Sequence, residues 1–347
     1  MLGGSRILVI GGTGMIGQHL VNASLAAGHP TAVLVRAGCA AGDPGKTKLL
    51  EAFEARGANI VCVCADDTSS RPKHNTLGDM NDHESLVAAC KQADVVISAV
   101  GHHGTEDLDA GQLKIVAAIK EAGNVKQRFV PSEYGCDLDQ AGKEAVVEPA
   151  KSMILAKLRV REAVRAAGIP HTFICSYWGQ GLILPRLGDP RVDGPPATMA
   201  TIFGDEKTPA IFVNEKDMSM LVIRAVEDPR TLNKILYMRP PENMCSFSHL
   251  VSLWEEKTGK SLDKYYMPEE DLVKKIQQSP FPLNFQLAMV HATVAAGDLE
   301  QTTIDPSAGM EATQLYPDVK FTTVNDYPDA LLLAHPHLRK PENNAKI

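Results

Sequence analysis

The chain has 347 residues, 44% of them hydrophobic, and carries a formal net charge of −7. That length fits one large domain or two of moderate size around a real core, and the mild acidity offers no electrostatic footprint for nucleic acid or an anionic membrane surface. No apolar run approaches the ~20 residues that span a bilayer, and glycines and polar residues interrupt the apolar stretch near the start, unlike a signal peptide.

Strand-like and helix-like segments alternate from the beginning. A short apolar strand over Arg6–Ile10 leads into a helix over Met15–Ala27, then strand Thr31–Arg36, helix Lys46–Arg56 and strand Asn59–Cys64. The polar stretch Cys64–Gly78 reads as a surface insertion before helix His83–Lys91. Strand Asp94–Val100, helix Gly111–Ala122, strand Arg128–Ser132, helix Lys151–Ala167 and strand His171–Ser176 continue the rhythm. This α/β alternation implies a Rossmann-type, doubly wound parallel sheet over residues 1–176. Beyond Tyr177 the rhythm breaks at Pro185, Pro190, Pro195 and Pro196. A smaller C-terminal α/β substrate lobe is expected over 177–335, with helices at Ser248–Thr258 and Glu269–Gln277 and an apolar stretch at Phe285–Ala296. Some of its segments are expected to return to the main sheet, and residues 336–347 read as a frayed tail.

The seven cysteines are odd in number and irregular in spacing, which argues against a disulfide framework and against a metal site. Cys62 and Cys64 read as buried thiols at a strand end. A reducing, cytoplasmic compartment is the expectation.

Gly11, Gly14 and Gly17 form G-x-x-G-x-x-G between the first strand and the first helix. Phosphate oxygens can approach backbone N–H groups there without a Cβ in the way, and the helix N-terminus favours a pyrophosphate. With Thr13, Met15 and Ile16 the loop is read as a dinucleotide cradle; the alternative is an ordinary tight βα turn. At the end of the second strand an NAD site usually carries an acid for the ribose 2′-hydroxyl, but here Arg36 offers a guanidinium suited to a 2′-phosphate. Lys46, with Lys48, would close on the same phosphate, unless both are a solvated helix face. NADPH is therefore the expected cofactor. Asp79, in "GDMND", either faces the adenine amine or caps the His83 helix.

With "PSEYG", "VEPAKS" and "GIPHT" in hand, the chain resembles the isoflavone-reductase-like enzymes, an NmrA-like, atypical branch of the short-chain dehydrogenases. The resemblance runs from Arg6 to about Tyr327. It is carried by "GGTGMIGQHLV", "GHPTAVLVR", "DVVISAVG", "VPSEYGCD", "VEPAKSMILAKLRVREAV", "DPRTLNK" and "LYPDVKFTTVNDY". The later motifs, with "MPEED" and "PFP", are most similar to the phenylcoumaran benzylic ether reductases. The resemblance implies NADPH-dependent reduction of a benzylic carbon in a plant phenylpropanoid or lignan, with Lys157 as the essential lysine. It places Cys136 at a variable pocket position, where the leucoanthocyanidin reductases carry histidine, and maps a C-terminal-lobe histidine to His291. The family's "NCFAG" reads "YWGQG" here, so Tyr177, Trp178 and Gly179 replace an asparagine, a small residue and an aromatic wall.

Read as chemistry, the helix around Lys157 has no tyrosine four residues earlier; Met153 stands there. Lys157 would act alone, its amine brought toward neutrality by apolar neighbours Ile154, Leu155 and Leu158. A neutral amine takes the proton of a phenol para to the benzylic carbon, and the benzylic ether oxygen leaves to give a quinone methide that the cofactor reduces. Alternatively Lys157, Arg159 and Arg161 are a solvated helix face. Lys157 and Ser132 are also placed beside the nicotinamide, with Glu133 in the same "PSE" turn. His102 and His103 follow the fourth strand, where such folds bind ligands. His291, Phe173, Tyr177 and Trp178 are each as readily core residues as ligand contacts, the pair Tyr177–Trp178 lying at a strand mouth. Rival readings are a lignan, a flavonoid or an allylic ester as substrate, and a cofactor-sensing regulator without turnover. A small phenolic substrate is the expected partner, and homodimer formation is left open.

Overall fold

The computed structural model describes residues 4–35, 43–62, 82–101, 109–123, 125, 128–144, 147–295 and 303–334. The amino-terminal part alternates β1 (Ile7–Ile10), α1 (Gly17–Ala26), β2 (Thr31–Val35), α2 (Pro44–Ala55), β3 (Asn59–Cys62), α3 (His83–Cys90), β4 (Val95–Ser98), α4 (Ala110–Ala122), β5 (Arg128–Val130), α5 (Leu138–Glu144), α6 (Ala150–Ala166) and β6 (Thr172–Cys175). Then come β7 (Trp178–Gly179), α7 (Gln180–Ile183), β8 (Met199–Phe203), β9 (Ala210–Val213), α8 (Glu215–Glu227), β10 (Lys234–Tyr237) and β11 (Met244–Cys245). The chain closes with α9 (Phe247–Thr258), β12 (Asp263–Met267), α10 (Glu269–Gln278), α11 (Leu283–Ala295), β13 (Gly309–Glu311), α12 (Ala312–Leu315) and α13 (Asp326–Ala334).

Five parallel strands stand in the order β3-β2-β1-β4-β5. At the β5 edge the Phe129 N–H donates to the Pro170 carbonyl at 2.7 Å and Phe129 bridges His171 in parallel, so β6, β10 and β13 continue the same surface. Burial on both faces explains the unbroken apolar run of β1. Ile7 and Val9 enter one core with Leu20 and Val21 of α1 and Phe53 of α2, while Leu8 and Ile10 enter the other with residues of α3, α4 and α6. Each such side chain removed from water contributes roughly 1.5–3 kcal/mol before entropy is counted. The doubly wound α/β sheet expected from the alternation is therefore the observed one.

Several segments beyond Tyr177 complete this half. Strand β10 pairs with β6, and α8 packs on α1, adding Met218, Leu221 and Val222 to the first core. The region expected to be irregular after the prolines holds β8, β9 and the whole of α8, and α5 also went unanticipated. A third core carries the remaining elements, with Phe247 edge-on to Phe203 (6.4 Å) and Phe212 (5.9 Å). Among the described residues no helix is long and apolar enough to cross a membrane, and no three metal-ligating side chains cluster.

Candidate active site

The glycine loop is built as a close approach. Gly11 sits at φ +83°, and a Cβ there would fall 2.7 Å from the Ala99 carbonyl oxygen. A Cβ on Gly17 would fall 2.1 Å from the Gly11 oxygen, so α1 can begin at that point only with glycine. Gly12, which sequence reasoning passed over, faces Val33 and Val21 at 2.6 and 3.0 Å from its would-be Cβ. Gly14 donates its N–H to Gly11 O at 3.0 Å, closing the turn, and α1 starts with no side-chain cap and no acid in its first turn. This open cradle fits a pyrophosphate.

Beside it lies a cavity of about 350 Å³. Its walls come from the carboxyl ends of β4, β5 and β6, where open α/β sheets bind ligands. Of the residues singled out from sequence, Met15, Ile16, Ser132, Cys136, Lys157, Tyr177 and Trp178 line it together. The loops after β5 and β6 carry Tyr134 and Tyr177 at φ +35° and +53°, non-glycine residues in the left-handed region. Such strain, of order 1–3 kcal/mol per residue, persists where surrounding structure over-determines it; the Tyr177 N–H, donating to Gly135 O at 2.9 Å, is part of that structure. Gln112 of α4 braces the loop after β5, accepting from the Ser132 N–H (3.1 Å) and donating to Ser98 Oγ (2.8 Å).

Lys157 is half-buried on α6 and donates from Nζ to the Glu133 carbonyl oxygen at 2.6 Å. Burial lowers its pKa below the ordinary lysine value, the Arg161 charge adds to this, and Cys136 and Glu133 oppose it. The Cys136 thiol is pushed up by burial, so it stays protonated beside the amine. Of the neighbours expected to desolvate Lys157, Ile154 is fully buried, but Leu155 is 40% exposed and turns away; the cavity wall takes its place. Arg161 is not a solvated cation. It is fully buried, pairs with Glu133 through Nε and Nη2 at 2.9 and 2.7 Å, reaches Asp139 at 2.8 Å, and lies over the Phe173 ring at 4.8 Å. Arg159 is the surface cation, paired with Asp109. Phe173 is core.

The chain matches the NmrA-like family pattern over residues 3–328. It belongs to that family. A phenylcoumaran benzylic ether reductase of Pyrus communis is 51% identical over 323 residues, covering 93% of this chain and 97% of the relative. Eugenol synthase 1 of Petunia hybrida is 48% identical over 323 residues, with the same coverage of both chains. A solved leucoanthocyanidin reductase–NADPH complex from Vitis vinifera superposes with a TM-score of 0.81 at 32% identity, covering 94% of this chain and 99% of that one.

In this NmrA-like chain the structure does not bring every expected residue to the cavity. His291 is 4% exposed on α11, and its Nε2 lies 3.0 Å from Glu269 Oε1 of α10; it ties two helices and does not line the cavity. Its helix reaches the cavity through Met289, Ala292 and Thr293 instead. The cap of α3 is Asp82, which accepts from the Ser85 N–H, not Asp79. Lys46 lies in the first turn of α2, 3.4 Å from Asp43, the residue that caps that helix. Arg36, Asp79, Cys64, His102, His103, the 64–78 stretch and the 336–347 tail lie outside the described residues, as does the Cys62 side chain. Glu215, a buried carboxylate of α8, lines the cavity and was missed, because its helix went unread.

Proposed function

We propose that this chain, an NADPH-dependent oxidoreductase by its family, reduces the benzylic carbon of a phenolic phenylpropanoid and cleaves a benzylic ether of the phenylcoumaran type, with Lys157 as general base. The single observation that carries the reading is the Lys157 amine, depressed in pKa by burial, on the floor of a largely apolar cavity that adjoins the glycine cradle. Residues 1–176, completed by α8, β10, β13 and α12, form the nucleotide half, and most of the rest of 177–335 forms the substrate half. Gly11, Gly14 and Gly17, with Thr13, Met15 and Ile16, would hold the pyrophosphate, Arg36 and Lys46 the 2′-phosphate, Asp79 the adenine and Ser132 the nicotinamide end. NADPH supplies the hydride.

The protein's own part is proton management and exclusion of water. Neutral Lys157 accepts the phenol proton; the Glu133 carbonyl, already bonded to Nζ, keeps the amine oriented as it takes up charge. The phenolate then expels the benzylic ether oxygen, and the apolar walls around Met153, Trp178 and Phe285 keep water from the reactive carbon. An allylic phenylpropanoid ester is the second reading, favoured by the near-equal identity to a eugenol synthase; the same para-phenolate would expel a carboxylate.

The test is NADPH consumption on addition of dehydrodiconiferyl alcohol, run beside an allylic ester, a lignan and a flavonoid, with NADPH and with NADH. Turnover of the phenylcoumaran with marked NADPH preference is expected, and Arg36→Ala should erase that preference. Cofactor binding with no turnover of any compound would leave only the regulator reading, and equal use of both coenzymes by the unaltered chain would remove the 2′-phosphate argument.

A further inference from the structure

Glu215 is the first residue of α8, and its side chain is buried (7% exposed) in the cavity wall. Its carboxylate accepts from the Gly181 N–H alone, at 2.9 Å to Oε1 and 3.1 Å to Oε2, and makes no ion pair among the described residues. Two glycines make the room it occupies. A Cβ on Gly179 would fall 2.5 Å from Oε1, and one on Gly181 would fall 3.1 and 3.2 Å from the two oxygens. Gly179 has ordinary extended backbone (φ −69°, ψ 127°), so it is the space and not the conformation that calls for glycine there.

A carboxylate has about four acceptor positions, and leaving them unfilled once water is excluded is unfavourable. One N–H fills one of them. Trp178, Leu182, Val213 and Met218 make the cavity wall beside it largely apolar, and His19 and Tyr327 lie within electrostatic reach without a hydrogen bond to it among the described residues. A hydroxyl donor on a molecule bound in the cavity would fill one of the remaining positions.

We propose that Glu215 determines substrate specificity by accepting a hydrogen bond from an aliphatic hydroxyl of the substrate, a second polar anchor besides Lys157. This rests on the phenolic-substrate reading above, which assigns the phenol to Lys157 and leaves the side-chain alcohol to be recognised. It also sorts the substrates. A free alcohol brings a donor to the carboxylate, whereas an ester or methyl ether at that place brings lone pairs against lone pairs. The cavity thus selects alcohol-bearing phenylpropanoids over their acylated or alkylated forms.

The experiment compares dehydrodiconiferyl alcohol with its analogue methylated on the aliphatic hydroxyls, as substrates with NADPH and as calorimetric ligands of the NADP+ complex. The full-length chain should prefer the free alcohol roughly tenfold to a hundredfold. Glu215→Gln keeps an acceptor for Gly181 and should cut that preference about tenfold, since a charge-assisted bond becomes a neutral one. Gly179→Ala, which crowds the carboxylate without removing it, should cut it in the same direction, and thermal melting verifies that both variants fold. An undiminished preference in both variants overturns the assignment while leaving the reductase reading intact. So does weaker NADP+ binding with the preference retained, which would put the carboxylate on the cofactor. A binding preference for the free alcohol that the wild-type chain shows and Glu215→Gln loses, with neither compound turned over, supports Glu215 and overturns the reduction.

Discussion

Replacing Lys157 with alanine should lower kcat by roughly a hundredfold to ten-thousandfold, the range removed with a general base, and leave NADPH affinity nearly unchanged. The split follows from geometry. Lys157 Nζ is tied to the Glu133 carbonyl at the cavity, while the proposed pyrophosphate cradle is the loop of Gly11, Gly14 and Gly17 at the start of α1. Lys157→Arg should not restore turnover, because a guanidinium stays protonated. The pH dependence carries the same signature. Burial depresses the Lys157 pKa, so the competent neutral amine fills as pH rises through the lowered value. In the wild type, kcat/KM should climb on an acid-side limb and level off below the pH at which an ordinary lysine deprotonates; in Lys157→Ala the limb should vanish. A variant with most of its activity, or an unchanged limb, would rule out the general base. Stopped-flow and fluorescence titration with NADPH separate the two effects.

The largest loss of stability should follow from splitting Arg161 and Glu133. Their side chains are 1% and 4% exposed and meet through two hydrogen bonds. Removing Arg161 strands the Glu133 carboxylate in the interior, at about 3–5 kcal/mol, and removing the Glu133 charge leaves Arg161 only its half-exposed partner Asp139. Arg161→Met and Glu133→Gln should each lower the urea midpoint strongly with little change in slope. The double variant should recover part of the loss, since it leaves no unpaired charge at either position. If either single variant lost less than about 1 kcal/mol, the range of an exposed pair, the pair would be no structural anchor. Activity should fall as well, because the Glu133 carbonyl that orients Lys157 belongs to the residue whose carboxylate Arg161 holds.

Much of this was readable in advance where local pattern and burial agree. The run "ILVI" alternates between two cores and declares a central parallel strand; Gly17 is fixed by a clash with Gly11 in the same loop, though Gly11 is fixed by the distant Ala99 carbonyl; Lys157 stands on a helix inside the stretch that matches the family pattern. Helix α8 was legible too, since Met218, Leu221, Val222 and Val226 recur at helical spacing, but the neighbouring prolines and glycines obscured it. With it went Glu215. His291 shows the opposite failure: a histidine in an apolar helix says nothing about which side meets ligand, and its ring turns to Glu269.

The strand–helix alternation and the glycine loop follow from the linear chain, because glycine sterics and apolar periodicity act between near neighbours. Which cation is solvated and which is interred, and which carboxylate reaches the cavity, follow only from folding. Lys157, Arg159 and Arg161 share one helix and nearly one spelling, yet one lines a cavity, one faces water and one is locked to a partner 28 residues away. Their different surroundings are supplied by β5, β6 and α8, elements that meet α6 or the cavity only once the sheet has closed, and burial, not residue type, sets the cost of a charge.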